Sequence, residues 1–178
     1  MPVYSLILVG ALLGMAPMAV WAQQDDNPYG PEEGDQELTI SGTGTSDTEF
    51  DNNRMGLSAT YGMYFQDRLK FSLKQQLNVT DLTDDSAWTG STRVAADYHF
   101  DVGRWWPYVG LHGGFIYGDG VKDTMIAGPD AGVKYYVKNK TFVYWETEYQ
   151  FLFTSTNEAE DVIDDGSWVH TVGVGFNF

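Results

Sequence analysis

From Glu37 onward, apolar and polar residues alternate with a period of two, and short polar stretches break the alternation at intervals. In one segment Met55, Leu57, Ala59, Tyr61, Met63 and Phe65 share a face, while Arg54, Gly56, Ser58, Thr60, Gly62 and Tyr64 share the other. A later segment repeats the pattern, with Val143, Trp145, Thr147, Tyr149, Phe151 and Phe153 set against Phe142, Tyr144, Glu146, Glu148, Gln150 and Leu152. Successive side chains of a strand point to opposite sides, so each segment reads as a strand with one apolar face. Eight strands are predicted, at 37–46, 54–65, 68–79, 91–100, 105–118, 125–137, 141–153 and 167–178. Gln75 interrupts the apolar face of the third strand, and Pro129 predicts a late start or a bulge in the sixth.

The connections alternate between tight (66–67, 101–104, 138–140) and long (47–53, 80–90, 119–124, 154–166). Short turns at one end and long loops at the other are the plan of an all-β, eight-stranded antiparallel up-and-down transmembrane β-barrel, with both termini at the short-turn end. Aromatic residues collect near both ends of the strands: Phe65, Phe71, Phe100, Trp105, Phe176 and Phe178 at one, Tyr117, Phe151, Phe153 and Trp168 at the other. Two such girdles suit the two interfaces of a membrane better than the surface of a water-soluble, lipocalin-like barrel.

Charge falls mainly on the less apolar face. Arg54, Lys70, Lys74, Arg93 and Lys134 share it with Glu37, Asp97, Asp130, Glu146 and Glu148. An eight-stranded barrel is only wide enough for side chains to fill. If that face is the interior, an ion-pair network is expected from Arg54, Lys70, Lys74, Arg93, Asp97, Lys134, Glu146 and Glu148, with Lys134 beside Glu146 across the sixth and seventh strands. In a lipocalin-like barrel the same charges would face water.

The 178 residues fit one barrel domain, 37–178, behind an export signal and a leader. The apolar run 4–13 followed by Val20-Trp21-Ala22 reads as a signal peptide, 1–22, and the Asp-, Glu-, Gly- and Pro-rich stretch 23–36 as a disordered acidic leader. Cysteine is absent, which excludes thiolate metal sites, disulfides and a cysteine nucleophile. A net charge of −15 opposes binding to nucleic acid.

The terminal octet Thr171-Val172-Gly173-Val174-Gly175-Phe176-Asn177-Phe178, the segment 54–68, Pro107-Tyr108-Val109-Gly110 and Gly132-Val133-Lys134-Tyr135-Tyr136-Val137 together resemble the OmpA/OmpX-like outer-membrane β-barrel family. The resemblance implies residence in the bacterial outer membrane and insertion by its assembly machinery, with Gly173, Phe176 and Phe178 at the matching signal positions. It implies no single activity, since structural and adhesive proteins share this architecture.

Candidate chemistry is sparse. Catalysis on lipid A would need an oriented His with a Ser or an acid near the outer leaflet. His170 is the best placed, but Ser167 falls on the opposite face of its strand. His99 sits near the turn end, and His112 is expected inside, opposite Arg93. Glu146 and Glu148, about 7 Å apart on one face, read as members of the interior network rather than as an acid–base pair. Asp and Glu crowd the long loops (Asp47, Glu49, Asp51; Asp81, Asp84, Asp85; Asp119, Asp123; Glu158, Glu160, Asp161, Asp164, Asp165) around Lys122. They are candidates for Ca²⁺ or Mg²⁺ bridging to lipopolysaccharide, or for an extracellular cationic ligand. The expectation is therefore a monomeric structural or ligand-binding barrel among outer-membrane lipids and lipopolysaccharide. No catalytic residue, cofactor or dedicated metal centre is assigned. The alternatives are a lipid A-modifying enzyme, an acyl hydrolase or transferase, and a narrow low-conductance channel.

Overall fold

A computed structural model of the chain describes residues 27–47, 54–82, 85–118, 124–153 and 166–178. Within them lie eight strands: β1 (Gln36–Asp47), β2 (Arg54–Gln66), β3 (Leu69–Leu82), β4 (Asp85–His99), β5 (Trp105–Gly118), β6 (Thr124–Lys138), β7 (Thr141–Phe153) and β8 (Gly166–Asn177). Each pairs antiparallel with its neighbour in sequence, and β1 closes on β8 to complete a barrel. Closure leaves no free strand edge.

Alternation sorts the side chains as the sequence requires. Ile40, Leu57, Leu73, Val94, Leu111, Met125, Trp145 and Val172, one from each strand, lie exposed on the outer wall; Leu57 reaches 71% and Leu111 68%. Aromatic pairs stand near the turn end of that wall, where Phe65 meets Phe71 edge-on at 5.1 Å and Phe176 lies 5.4 Å from Phe178. A soluble monomer rarely exposes a continuous apolar surface of this extent. The inner wall is polar and charged yet buried.

The main departure in strand boundaries is at β3 and β4. The stretch 80–90, rich in Thr, Asp and Ser, reads as a long loop, but β3 runs on to Leu82 and pairs there with Asp85. A hairpin can continue beyond an apolar band because its backbone groups satisfy one another whatever the side chains. At Pro129 the strand neither starts late nor shifts register. β6 runs through it and stays paired with β5, while pairing with β7 lapses at Gly128 and Pro129 and resumes in register at Asp130. Proline lacks the N–H that the ladder would need.

Residues 27–35, part of the stretch read as leader, are tied to all three short turns. Asn27 Nδ2 donates to Asp101 Oδ1 at 2.9 Å, Gly30 N to Asn139 O at 3.1 Å, and Glu33 N to Asp67 Oδ1 at 2.9 Å. Tyr29 packs against a buried cluster of Trp106, Tyr136, Phe142 and Tyr144. Gly30 has a φ of 116°, and a Cβ there would fall 2.2 Å from Trp106 Cζ2, so only glycine fits. This segment forms a strap across the turn end of the barrel. Acidic composition hides it, because its anchors are scattered: backbone amides, the Asn27 side chain, one aromatic ring and the ion pair of Asp35 with Lys140.

Candidate functional site

The interior charges sit at inward positions of five strands, β1, β3, β4, β6 and β7, and their side chains are long enough to meet across the bore. Nearer the turn end, Glu37 on β1 accepts hydrogen bonds from Lys70 Nζ on β3 at 2.9 Å, from Lys134 Nζ on β6, from the Tyr64 hydroxyl at 3.0 Å and from Asn177 Nδ2 at 3.3 Å. Lys70 Nζ also stands 3.0 Å from Asp97. Lys134 donates to the Tyr64 hydroxyl at 2.7 Å and lies 4.7 Å from the centre of the Phe142 ring.

Farther along the bore, Lys74 Nζ on β3 lies 2.8 Å from Glu146 Oε1 and 2.7 Å from Glu148 Oε1 on β7. These strands are diametrically opposite in the ring, so the ammonium braces the barrel across its width. Arg93 on β4 pairs with the second oxygen of Glu148 and donates to Gln76 Oε1 at 2.6 Å. Tyr108 joins the two groups. Its hydroxyl donates to Glu146 Oε2 at 2.7 Å, and its ring lies 5.7 Å from both Lys70 and Lys134.

Glycine makes the crossing contacts fit. Tyr108, Phe142 and Tyr144 each stand opposite a glycine on the neighbouring strand: Gly132, Gly175 and Gly173. A Cβ at Gly132 would come within 2.5 Å of the Tyr108 ring. The cavity between Glu37, Lys70, Lys74, Tyr108, Lys134 and Glu146 is about 10 Å³, room for about one water. Removing one partner from such a buried pair costs about 3–5 kcal/mol, because the other charge stays behind without solvent.

No family model matches the chain, and no curated protein matches it. Solved structures do. The chain is similar to Neisserial surface protein A with a TM-score of 0.61 at 16% identity, over 81% of this chain and 96% of that one. It is similar to the N-terminal β-barrel domain of Pseudomonas aeruginosa OprF with a TM-score of 0.56 at 22% identity, over 83% and 100%. It is also similar to Ail of Yersinia pestis, solved in complex with the heparin analogue sucrose octasulfate, with a TM-score of 0.56 at 14% identity, over 82% and 99%. This is the eight-stranded outer-membrane β-barrel fold. The likeness to OmpA/OmpX-like barrels drawn from the sequence holds at that level.

Within this outer-membrane-type barrel, the structure brings together Lys70, Lys74, Arg93, Asp97, Lys134, Glu146 and Glu148, but not all in the expected pairs. Lys134 does not meet Glu146. Its strand partner is Tyr144, that of Glu146 is Gly132, and Lys134 reaches over to Glu37 instead. The Arg54 side chain lies outside what the structure describes, as do the side chains of the long-loop acids. Gly173 faces inward against Tyr144, while Phe176 and Phe178 face outward.

Of the histidines, His112 takes a different neighbour from the one expected. His112 faces inward but opposes Ala95, not Arg93, and its Nδ1 lies 3.4 Å from Asp130 Oδ2. His99 lies inward near the turn end, opposes Tyr108 and stacks on its ring at 4.9 Å. His170 lies outward, parallel to Trp168 with ring centres 6.4 Å apart. Glu37, Tyr64, Tyr108, Gln76 and Asn177 are the participants missing from the expected network. Parity along each strand places all of them inward, whereas their partners depend on how the strands stagger when the barrel closes.

Proposed function

We propose that this chain is an integral protein of the bacterial outer membrane that acts as a structural or ligand-binding barrel, presenting acidic loops above a filled interior. The observation that carries this reading is the pairing of an apolar, exposed outer wall on every strand with an interior of buried ion pairs, among which the cavity between Glu37, Lys74, Lys134 and Glu146 is about 10 Å³. Such an interior gives a rigid platform and opposes a channel, and the 27–35 strap across the turn end opposes it further. His170 stacked on Trp168 supports an interfacial side chain rather than a lipid A hydrolase or acyltransferase.

The sign of the loops selects the ligand class. Ail was solved with a sulfated anion, whereas the loop positions of this chain carry many Asp and Glu against Lys122. The partner is therefore cationic, a basic peptide or a basic protein surface, with divalent ions bridging the remaining carboxylates to lipopolysaccharide. The barrel acts as a monomer and enters the membrane through the assembly machinery, with Gly173, Phe176 and Phe178 as its signal.

The test is a titration of the nanodisc-embedded barrel with polylysine at low and high salt. Binding that weakens as salt rises, and that falls when acids in 158–165 are changed to amides, supports the reading. Absence of binding at low salt contradicts the ligand class. Lipid A from cells with and without the protein should give the same mass spectrum; a changed acyl count would establish the enzyme instead.

A further inference from the structure

Midway along the bore, on the side where β6 loses its pairing with β7, three buried residues face one another with incomplete bonding. His112 on β5, Asp130 on β6 and Glu148 on β7 offer ligand atoms that all lie within 4.8 Å of one another. His112 is 5% exposed and Asp130 4%, yet among the described residues His112 Nε2 and Asp130 Oδ1 have no hydrogen-bond partner, and His112 Nδ1 and Asp130 Oδ2 have only their 3.4 Å approach to each other. Buried polar atoms of a folded protein are almost always paired, and a cluster left this short of partners calls for a missing one. Asp130 has no Lys or Arg within ion-pair distance among the described residues. Asp97 adds to the local negative charge, since a Cβ at Gly110 would lie 2.5 Å from both Asp97 Oδ1 and Asp130 Oδ1.

We propose that His112, Asp130 and Glu148 form a site for a divalent first-row transition ion, with Zn²⁺ as the representative, inside the barrel. Two ligands each about 2.1 Å from one ion at the tetrahedral angle stand about 3.4 Å apart. That is the separation of His112 Nδ1 from Asp130 Oδ2. Glu148 supplies a third ligand atom through a second lone pair of a carboxylate whose two oxygens also meet Lys74 and Arg93, which hold it in place as supporting partners do around metal-bound carboxylates. One imidazole with two carboxylates favours Zn²⁺ over the harder Mg²⁺ and Ca²⁺. The site is separate from the loop acids and does not depend on which ligand the loops bind.

The experiment uses the barrel refolded in detergent micelles, stripped with a chelator, exposed to Zn²⁺ and passed through a desalting column. Wild type should retain about one Zn²⁺ per chain, and Zn²⁺ should raise its unfolding midpoint. Both effects should be lost in His112→Gln and in Asp130→Asn, with folding of each variant checked by its heat-modifiable migration on gels. X-ray absorption of the wild-type complex needs no variant and should find one imidazole among oxygen ligands. Retention of Zn²⁺ unchanged in both variants, an all-oxygen shell, or no retention by folded wild type would overturn the site and leave a bare His112–Asp130 contact.

Discussion

The two faces of the barrel wall invert the usual arrangement of a folded chain, and neighbouring tryptophans show it. Trp105 stands 52% exposed on the outer wall beside Tyr135, while Trp106 is 3% exposed under Gly30 in the aromatic cluster at the turn end. Outside, apolar side chains remain uncovered by protein and need a medium that tolerates them. Inside, lysine, arginine, aspartate and glutamate are withdrawn from water and stabilise one another only through specific partners. The outer wall thus rests on composition, the inner wall on geometry. A substitution outside matters through polarity, whereas one inside matters through which partner is left behind.

That contrast is broken most severely at Glu37. Glu37→Gln leaves the ammonium groups of Lys70 and Lys134 without their shared carboxylate, and should destabilise the barrel by about 3–5 kcal/mol in urea unfolding from lipid vesicles. Leu111→Arg, in the middle of the outer face of β5, should cost about 2–4 kcal/mol in the same vesicles; a near-zero cost would mean that Leu111 does not meet hydrocarbon. Asp130→Asn sharpens the picture from within the bore. It removes a buried carboxylate that has no ammonium or guanidinium partner among the described residues, so in the presence of chelator it should change stability by about 1 kcal/mol or less. A loss as large as that of Glu37→Gln would show that the two carboxylates are equally well supported.

Much of the barrel is legible in the sequence because period-two alternation is local. The faces of β2 and β7 follow directly from residues 54–65 and 141–153, and the inward placement of Lys70, Lys74, Arg93 and Lys134 follows from the same parity. Cross-bore partners are not legible in the same way. Lys134 meets Glu37, almost a hundred residues away in sequence, because closure brings β1 and β6 toward one another. A scheme of neighbouring strands offers Glu146 instead. The sequence pattern sets His112 opposite Arg93; it lies two positions away in register, opposite Ala95, and beside Asp130. The strap and the extended β3–β4 hairpin escape for another reason. Both are polar segments held in good part by backbone hydrogen bonds, and backbone bonding leaves little trace in side-chain pattern.

Quenching of single-tryptophan variants in vesicles with brominated acyl chains tests the two-faced wall most directly. Variants retaining only Trp105 or only Trp106 place the reporter at adjacent positions of β5, on opposite faces. The account requires strong quenching of Trp105 and little quenching of Trp106. Equal quenching of the two, or stronger quenching of Trp106, would contradict an apolar outer wall in lipid around a closed interior.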